Sequence, residues 1–387
     1  MSMRSHSALC RLADSTAAGL ALGREIRDAI GAADAIIVFA SSQHDYQRLL
    51  EGLREASGCA TLVGSSSAGE FNNSGRGVGW ASAMALSSPS MKFALGVGRD
   101  LSRDPQRAAT ELISDFGGLG DRPLPYRCAL VMTDALAGHT DQLLEHLTVA
   151  TRGSYNFVGG GAGDDGHFAR THVFAGTQAL TDAVVALEIQ SMQPVGIGVA
   201  HGWTPAGPPL RVTEADGPLL IGLNGAPAAA AFEDHAEASG QTIDRDNALP
   251  FLLHNVLGIE NGNGYRLRVP LSLNPDGSVS CAAAVPVGSI VHIMKTSTES
   301  AVEAASSAAR SAVEALGGRQ PKAALVFDCV ATRLRLGDAF QNELDACSDI
   351  LKPASFTGCN TYGQIARAAG QFGGFHNCTA VVCVFPE

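Results

Sequence analysis

Ala60-Thr-Leu-Val-Gly-Ser-Ser-Ser-Ala-Gly-Glu70 is a short apolar run that enters a turn of small residues. A run of that length, stopped by such a turn, reads as a buried strand. Upstream, Ala35-Ile-Ile-Val-Phe-Ala-Ser41 reads the same way. Residues 45–56 between them place Leu49, Leu50 and Leu53 on one helical face. Downstream, residues 80–86 read as a returning strand. The order then recurs. Cys128-Ala-Leu-Val-Met-Thr133 predicts a strand, 140–150 a helix with Leu143, Leu144 and Leu147 together, and Phe157-Val-Gly-Gly-Gly-Ala-Gly-Asp-Asp165 a strand into a glycine turn. Residues 173–174 and 182–189 follow as a hairpin-like pair. A third copy runs through Ala323-Ala-Leu-Val-Phe-Asp-Cys329, a helix over 338–350, Ala354-Ser-Phe-Thr-Gly-Cys-Asn-Thr-Tyr-Gly363 and a closing strand over 379–385. Strand–helix–strand units make parallel pairs, and the strand that turns back is antiparallel. The expected fold is α/β, with mixed sheets built from repeated strand-helix-strand-strand units.

Copies two and three are separated by a region of another kind. Gly196-Ile-Gly-Val-Ala-His-Gly-Trp203 runs into Thr204-Pro-Ala-Gly-Pro-Pro209, which cannot start a helix comfortably. Residues 265–270 and 278–286 are strand-like, and 298–316 is a long alanine-rich helix stopped by Gly317-Gly318. With 387 residues, two or three domains are expected. The division drawn is an N-terminal extension over 1–29, one domain over 30–222 and a second over 223–387.

Composition narrows the function. Hydrophobic residues are 45% and charged residues 17% of the chain, so it is neither disordered nor a coiled coil. The balance of 27 basic and 38 acidic residues gives a net charge of −11 and no basic patch, which argues against nucleic acid. A gel shift that persists at physiological salt would overturn that expectation. No apolar stretch reaches the ~18 residues of a membrane span, and no signal-peptide core opens the chain, so no membrane insertion is expected. Nine scattered cysteines without a CxxC argue for reduced thiols and a cytoplasmic protein. Glycine is in excess, 44 residues, which marks turns or close backbone approach.

The three strand-end turns are the main candidate site, because α/β sheets commonly bind ligands there. They offer Ser65, Ser66, Gly69 and Glu70, then Gly160, Gly161 and Asp164, then Asn360, Thr361 and Tyr362. The plainer reading of each turn alone is a tight bend that needs glycine. His201 with Trp203 could pack on a planar ligand or form a structural corner. His376 with Asn377 could face the third turn or cap the last hairpin. Phosphate-loop and dinucleotide spacings are absent, as are zinc-finger spacing and the GxSxG elbow. A Cys- or Ser-dependent hydrolase, using Cys359 with His376 or using Ser66, stays open as a reading, although no catalytic motif is convincing.

Gly64-Ser-Ser-Ser-Ala-Gly-Glu70, Gly159-Gly-Gly-Ala-Gly-Asp-Asp165, Ala200-His-Gly-Trp203, Phe327-Asp-Cys-Val-Ala-Thr-Arg333, Gly358-Cys-Asn-Thr-Tyr-Gly-Gln364 and Phe375-His-Asn-Cys-Thr379, in that order, resemble the FIST sensory family. The resemblance spans roughly residues 30 to 385 and implies an N-terminal and a C-terminal FIST domain. It implies a stand-alone signal-input protein that binds a small ligand and acts through a separate partner such as a histidine kinase. A subset of that family binds haem and senses nitric oxide, which makes haem the leading ligand, with His44, His139, His201 and His376 as axial candidates. A small metabolite such as an amino acid is the alternative.

Overall fold

The computed structural model describes residues 3–120, 123–262, 264–367 and 374–387. Three related units share one plan. Each has an edge strand, a helix, a central strand, a second helix and a strand parallel to the central one. A turn, a short hairpin and a closing strand complete it. In unit one the central strand Ala35–Ser41 pairs in parallel with Leu62–Ser67, Ile36 against Leu62 through Ser41 against Ser67. The closing strand Ala81–Ser87 lies antiparallel on the other side. In unit two Tyr126–Thr133 has the same two neighbours, Asn156–Gly161 and Ala183–Ser191. In unit three Pro321–Cys329 has Ser355–Thr361 and Ala380–Pro386. The mixed α/β fold expected from the repeats is therefore present.

The alternation along each central strand explains the architecture. Ile37 and Phe39, Leu130 and Met132, and Leu325 and Phe327 all point into one common core. Their sequence neighbours Ile36 and Val38, Ala129 and Val131, and Ala324 and Val326 face the helices of their own unit. Strands covered on both faces read as unbroken apolar runs, as these do. Phe39 and Phe327 meet edge to face in the common core, with ring centroids 5.7 Å apart. The glycine excess has a recurrent cause here. A Cβ on Gly64, Gly159 or Gly358 would lie 1.7, 2.0 or 2.0 Å from the carbonyl oxygen of Val38, Val131 or Val326 across the parallel pair.

The hairpin after each turn is given to a neighbouring unit. Glu70–Asn72 pairs with Ser355–Thr361 of unit three. Val173–Ala175 pairs with Leu62–Ser67 of unit one. Gln364–Arg367 pairs with Asn156–Gly161 of unit two. This cyclic exchange binds the three units to one another.

The segment set apart in the sequence as an extension is, from Arg4 onward, part of unit one. Arg4–Cys10 is its edge strand, antiparallel to Ala81–Ser87, and Ser15–Ile30 its first helix, capped by the Asp14 side chain. The equivalent elements of unit two are Met91–Arg99 and Pro105–Leu112. In unit three they are Gly196–Ala200 and Thr298–Glu314, and residues 201–297 are inserted between them. The insertion forms a nine-stranded antiparallel sheet with the helices Ala228–Ser239 and Leu249–Leu252 and its own apolar core. The boundary drawn at 222/223 falls inside its strand Leu219–Leu223. Among the described residues, no helix is long and apolar enough to cross a membrane.

Candidate functional site

The equivalent strands end in the three small-residue turns, and the turns meet. Ala68 N donates to Asn360 O at 2.9 Å, and Asn360 N to Gly69 O at 2.8 Å. Gly163 N reaches Ser66 O, and Asp165 N reaches Ser67 O, both at 3.0 Å. Gly161 N donates to Gly363 O and Tyr362 N to Gly161 O, both at 2.9 Å. The turns satisfy one another's backbone groups, which accounts for much of their glycine. A Cβ at Gly161 would lie 2.5 Å from Tyr362 O, and one at Gly160 would lie 2.8 Å from the Thr361 methyl carbon.

Side chains around this knot are buried and polar. Asp164 accepts from the amides of Phe168, Ala169 and Arg170 at 2.7–2.8 Å and from the Tyr362 hydroxyl. Burial opposes its charge, yet the Tyr362 hydroxyl and those amides prevail and hold its carboxyl below the ordinary range. Glu70 is fully buried. It accepts from the Ser67 hydroxyl and, at 3.1 Å, from Trp80 N, but burial pushes its carboxyl up to about 8. Asp165 accepts from Ser41 Oγ at 2.7 Å and Ser42 N at 2.9 Å.

Beside the knot lies a cavity of about 350 Å³, walled by units two and three and by the insertion. Its wall is mostly apolar, with Leu249, Leu253, Val269 and Leu271 from the insertion and Val330 and Phe375 from unit three. Polar groups reach it from His139, Asp141, Gln142, Cys329, Tyr362 and Asn377. Three further lining residues, Leu136, Phe168 and Leu334, are 43%, 42% and 46% exposed. Phe168 stacks on the Tyr362 ring, centroids 4.3 Å apart and planes 14° from parallel. Asp141 is held by Arg268 Nη2 at 2.8 Å, and Arg268 is wholly buried. Asn377 is buried, and its Oδ1 has no hydrogen-bond partner.

The sequence candidates divide between these places. Tyr362, Asn377 and His139 line the cavity. Gly69, Glu70, Gly160, Gly161, Asp164, Asn360 and Thr361 belong to the knot or its support. Ser66 exchanges hydrogen bonds with the His172 backbone, and Ser65 Oγ is buried without a partner. His201 and Trp203 form a corner at the start of the insertion, where His201 Nε2 meets Tyr265 O at 3.0 Å and Arg335 covers the indole at 5.5 Å. His376 Nε2 meets Ala366 O at 3.0 Å, and burial lowers its pKa to about 4. His44 Nδ1 is 3.3 Å from Ser15 Oγ in unit one. Cys359 is completely buried in the common core, and Ser66 is bonded to backbone rather than to an imidazole. The cavity wall supplied by the insertion, with Phe168 and Cys329, went unread in the sequence. Among the described residues, no group of three or more His, Cys, Asp or Glu side chains is placed to hold a metal ion.

An uncharacterized protein of Mycobacterium tuberculosis is 23% identical over 263 residues, 67% of this chain and 68% of its own. An uncharacterized protein of Mycobacterium bovis is 23% identical over 263 residues, 67% of each chain. Among solved structures, a cyanuric acid hydrolase from A. caulinodans aligns over the whole of both chains with a TM-score of 0.32 and 9% identity. PurLQS from Thermotoga maritima aligns over 99% of this chain and 72% of its own, with a TM-score of 0.23 and 12% identity. The FIST N domain matches residues 34–226 and the FIST C domain residues 228–367, so the chain belongs to the FIST family of sensory, signal-transducing domains.

Proposed function

We propose that the ligand of this sensory protein enters the cavity beside the turn knot and is an apolar, planar molecule with one hydrogen-bond donor. The observation that carries this reading is the coincidence of three exposed apolar side chains, Leu136, Phe168 and Leu334, at the mouth of one cavity. Exposed apolar clusters of that kind mark binding grooves. At about 350 Å³ the cavity is within the range of small-molecule sites, roughly 300–1,000 Å³. Asn377, a residue of the cavity lining, carries an Oδ1 acceptor that has no partner.

For haem, one observation separates the four histidine candidates. His139 alone among them lines the cavity, and its Nδ1 lies 3.1 Å from Gln142 Oε1. That contact would leave Nε2 as the nitrogen to hold a haem iron. Bound haem would supply an iron centre with a position for nitric oxide. Leu253, Val269 and Leu271 would exclude water, and Gln142 would orient the ring of His139. Because the insertion and two units share the walls, filling the cavity would alter their packing, which a partner such as a histidine kinase would read. Nine free, buried cysteines suit the reducing cytoplasm in which such a partner works. The test is an absorption spectrum after haem reconstitution, with and without nitric oxide, for wild type and His139→Ala. A Soret band that shifts with nitric oxide and is lost in His139→Ala is expected. A flat spectrum in wild type removes haem.

A second reading rests on a different place. Arg333 Nε, Asn360 Nδ2 and Asp165 Oδ1 are buried without partners. Arg333 and Asn360 both lie against Gly69, and the Asp165 charge acts on Arg333. A cation, an amide and a carboxylate suit an amino acid, whose two charges the cavity cannot pair because Arg266 and Arg268 already occupy Asp141. Calorimetric titration with amino acids, lost in Arg333→Ala, checks it.

A further inference from the structure

The helix Thr140–Ala150 of unit two starts at the cavity, which Gly138, His139, Thr140, Asp141 and Gln142 all line. The first helical bond runs from Leu143 N to His139 O at 2.9 Å, so the amides of Thr140, Asp141 and Gln142 have no partner within the helix. No side chain caps them. Unit one closes the equivalent helix end. There Asp45 precedes the helix Tyr46–Ser57, and its carboxylate accepts from Arg48 N at 3.1 Å. In unit two His139 holds the capping position and leaves the end open. Free first-turn amides and the helix dipole together favour an anion.

The charges beside that helix end have the same preference. Asp141 brings a carboxylate, but Arg268 Nη2 holds its Oδ2 at 2.8 Å and Arg266 Nη1 lies 3.9 Å from its Oδ1. Two cations therefore face one anion. Arg268 is wholly buried, so its charge is weakly screened. His376, near both Arg268 and Asp141, adds no charge at neutral pH, because burial lowers its pKa to about 4. An independent sign of a ligand comes from Asn377. It lines the same cavity, is 2% exposed, and has an Oδ1 without a hydrogen-bond partner. Buried polar atoms are nearly always paired, so an unpaired acceptor in a cavity wall marks a place for a ligand's donor.

We infer that the ligand of this cavity is a planar carboxylate, whose anionic group is bound by the open helix end at Thr140, Asp141 and Gln142. The inference rests on the reading that the cavity is the ligand site, and adds the charge that the ligand must carry. The apolar walls take its planar body, and Asn377 takes its donor. A free aromatic acid and the propionates of haem present the same chemistry to the helix end. The open end in unit two and the closed one in unit one explain why, of these two equivalent helices, the one that borders the cavity lacks a carboxylate cap.

The test is calorimetric titration of the full chain at pH 7 with 6-hydroxy-2-naphthoate and with 6-hydroxy-2-naphthamide, which keeps the rings and the hydroxyl but carries no charge. The naphthoate should bind about tenfold more tightly, because a charged acceptor strengthens each hydrogen bond from the helix end. Gln142→Glu sets a second carboxylate in the first turn and should lower the preference for naphthoate over naphthamide about threefold. A second arm compares haem with its dimethyl ester, in which both propionates are neutral, by absorption titration. Tighter binding of haem assigns the carboxylate to a propionate, and a preference confined to the naphthoate assigns it to a free aromatic acid. If naphthamide binds as well as naphthoate and the ester as well as haem, the inference falls and the cavity stands as the ligand site. A preference for naphthoate that Gln142→Glu leaves unchanged places the carboxylate elsewhere and also overturns it. If none of the four compounds binds, the inference and the cavity reading fall together.

Discussion

Tyr362 of unit three donates its hydroxyl hydrogen to Asp164 of unit two, and the same carboxylate binds three amides of the loop that carries Phe168. The contact joins the turn knot to the cavity mouth, because Phe168 lies flat on the Tyr362 ring. Tyr362→Phe keeps the ring and removes the donor. The expected loss of stability is about 1–3 kcal/mol, since a buried carboxylate loses a partner. The pH dependence follows from the direction of the shift. A carboxyl held below its ordinary range contributes stability above the unfolded pKa, near 4, and loses it as pH falls through the folded value. The gap between wild type and Tyr362→Phe should therefore be widest near neutrality and narrow in acid. Urea titrations at pH 7 and pH 3 check it, and equal gaps would count against the assignment.

Glu70 carries the opposite sign. Burial lifts its carboxyl to about 8, so the folded state holds a proton that the unfolded chain has lost above roughly pH 4.5. Its contribution is favourable at low pH and erodes as pH rises from there toward 8. Glu70→Gln keeps an acceptor for Trp80 N and gains a donor toward Ser67. The variant should be more stable than wild type at pH 8, by an amount on the order of a few kcal/mol, and should match it near pH 5. Thermal melts across that range decide it. A variant that is less stable at pH 8 means Glu70 is ionised in the fold.

Much of the fold was legible because the central strands are covered on both faces. Ala35–Ser41 is an unbroken apolar run, and the observed strand has those bounds. Arg4–Cys10 escaped notice because an edge strand with one open face can carry Arg4, Ser5, His6 and Ser7. The hairpin exchange was not legible at all. Glu70 pairs with Cys359, and nothing local in either sequence specifies so distant a register. The same limit hid the site. The turns announced themselves through glycine, but that glycine mainly serves their mutual packing. The cavity joins Leu136 to Leu253 and Leu334, residues far apart in the chain that look ordinary singly.

The common core makes a prediction of its own. Phe327 is fully buried and meets Phe39 of another unit. Phe327→Ala should cost about 3–5 kcal/mol, the range for truncating a packed aromatic. The loss should weaken all three units together, because their inner faces share this core. Tryptophan fluorescence and far-ultraviolet circular dichroism should shift to the same lower denaturant midpoint. A loss below about 1 kcal/mol would show that the core collapses around the missing ring.

Asn377 sets stability against binding. Its Oδ1 is buried without a partner, while its Nδ2 reaches His376 O at 3.2 Å. An unsatisfied buried acceptor costs about 1–3 kcal/mol. Asn377→Leu exchanges that cost for apolar contact with a wall that is already apolar, so the empty protein should be as stable or about 1 kcal/mol more so. If the acceptor exists to meet a ligand donor, binding should suffer where stability does not, as is usual at functional sites. Two probes separate the effects. 1-Naphthol presents a hydroxyl donor and naphthalene none, with the same ring system. Asn377→Leu should weaken 1-naphthol about tenfold, one hydrogen bond's worth, and leave naphthalene unchanged. Equal loss for both would mean the substitution only reshapes the wall, and binding of neither to wild type would remove the cavity as the ligand site.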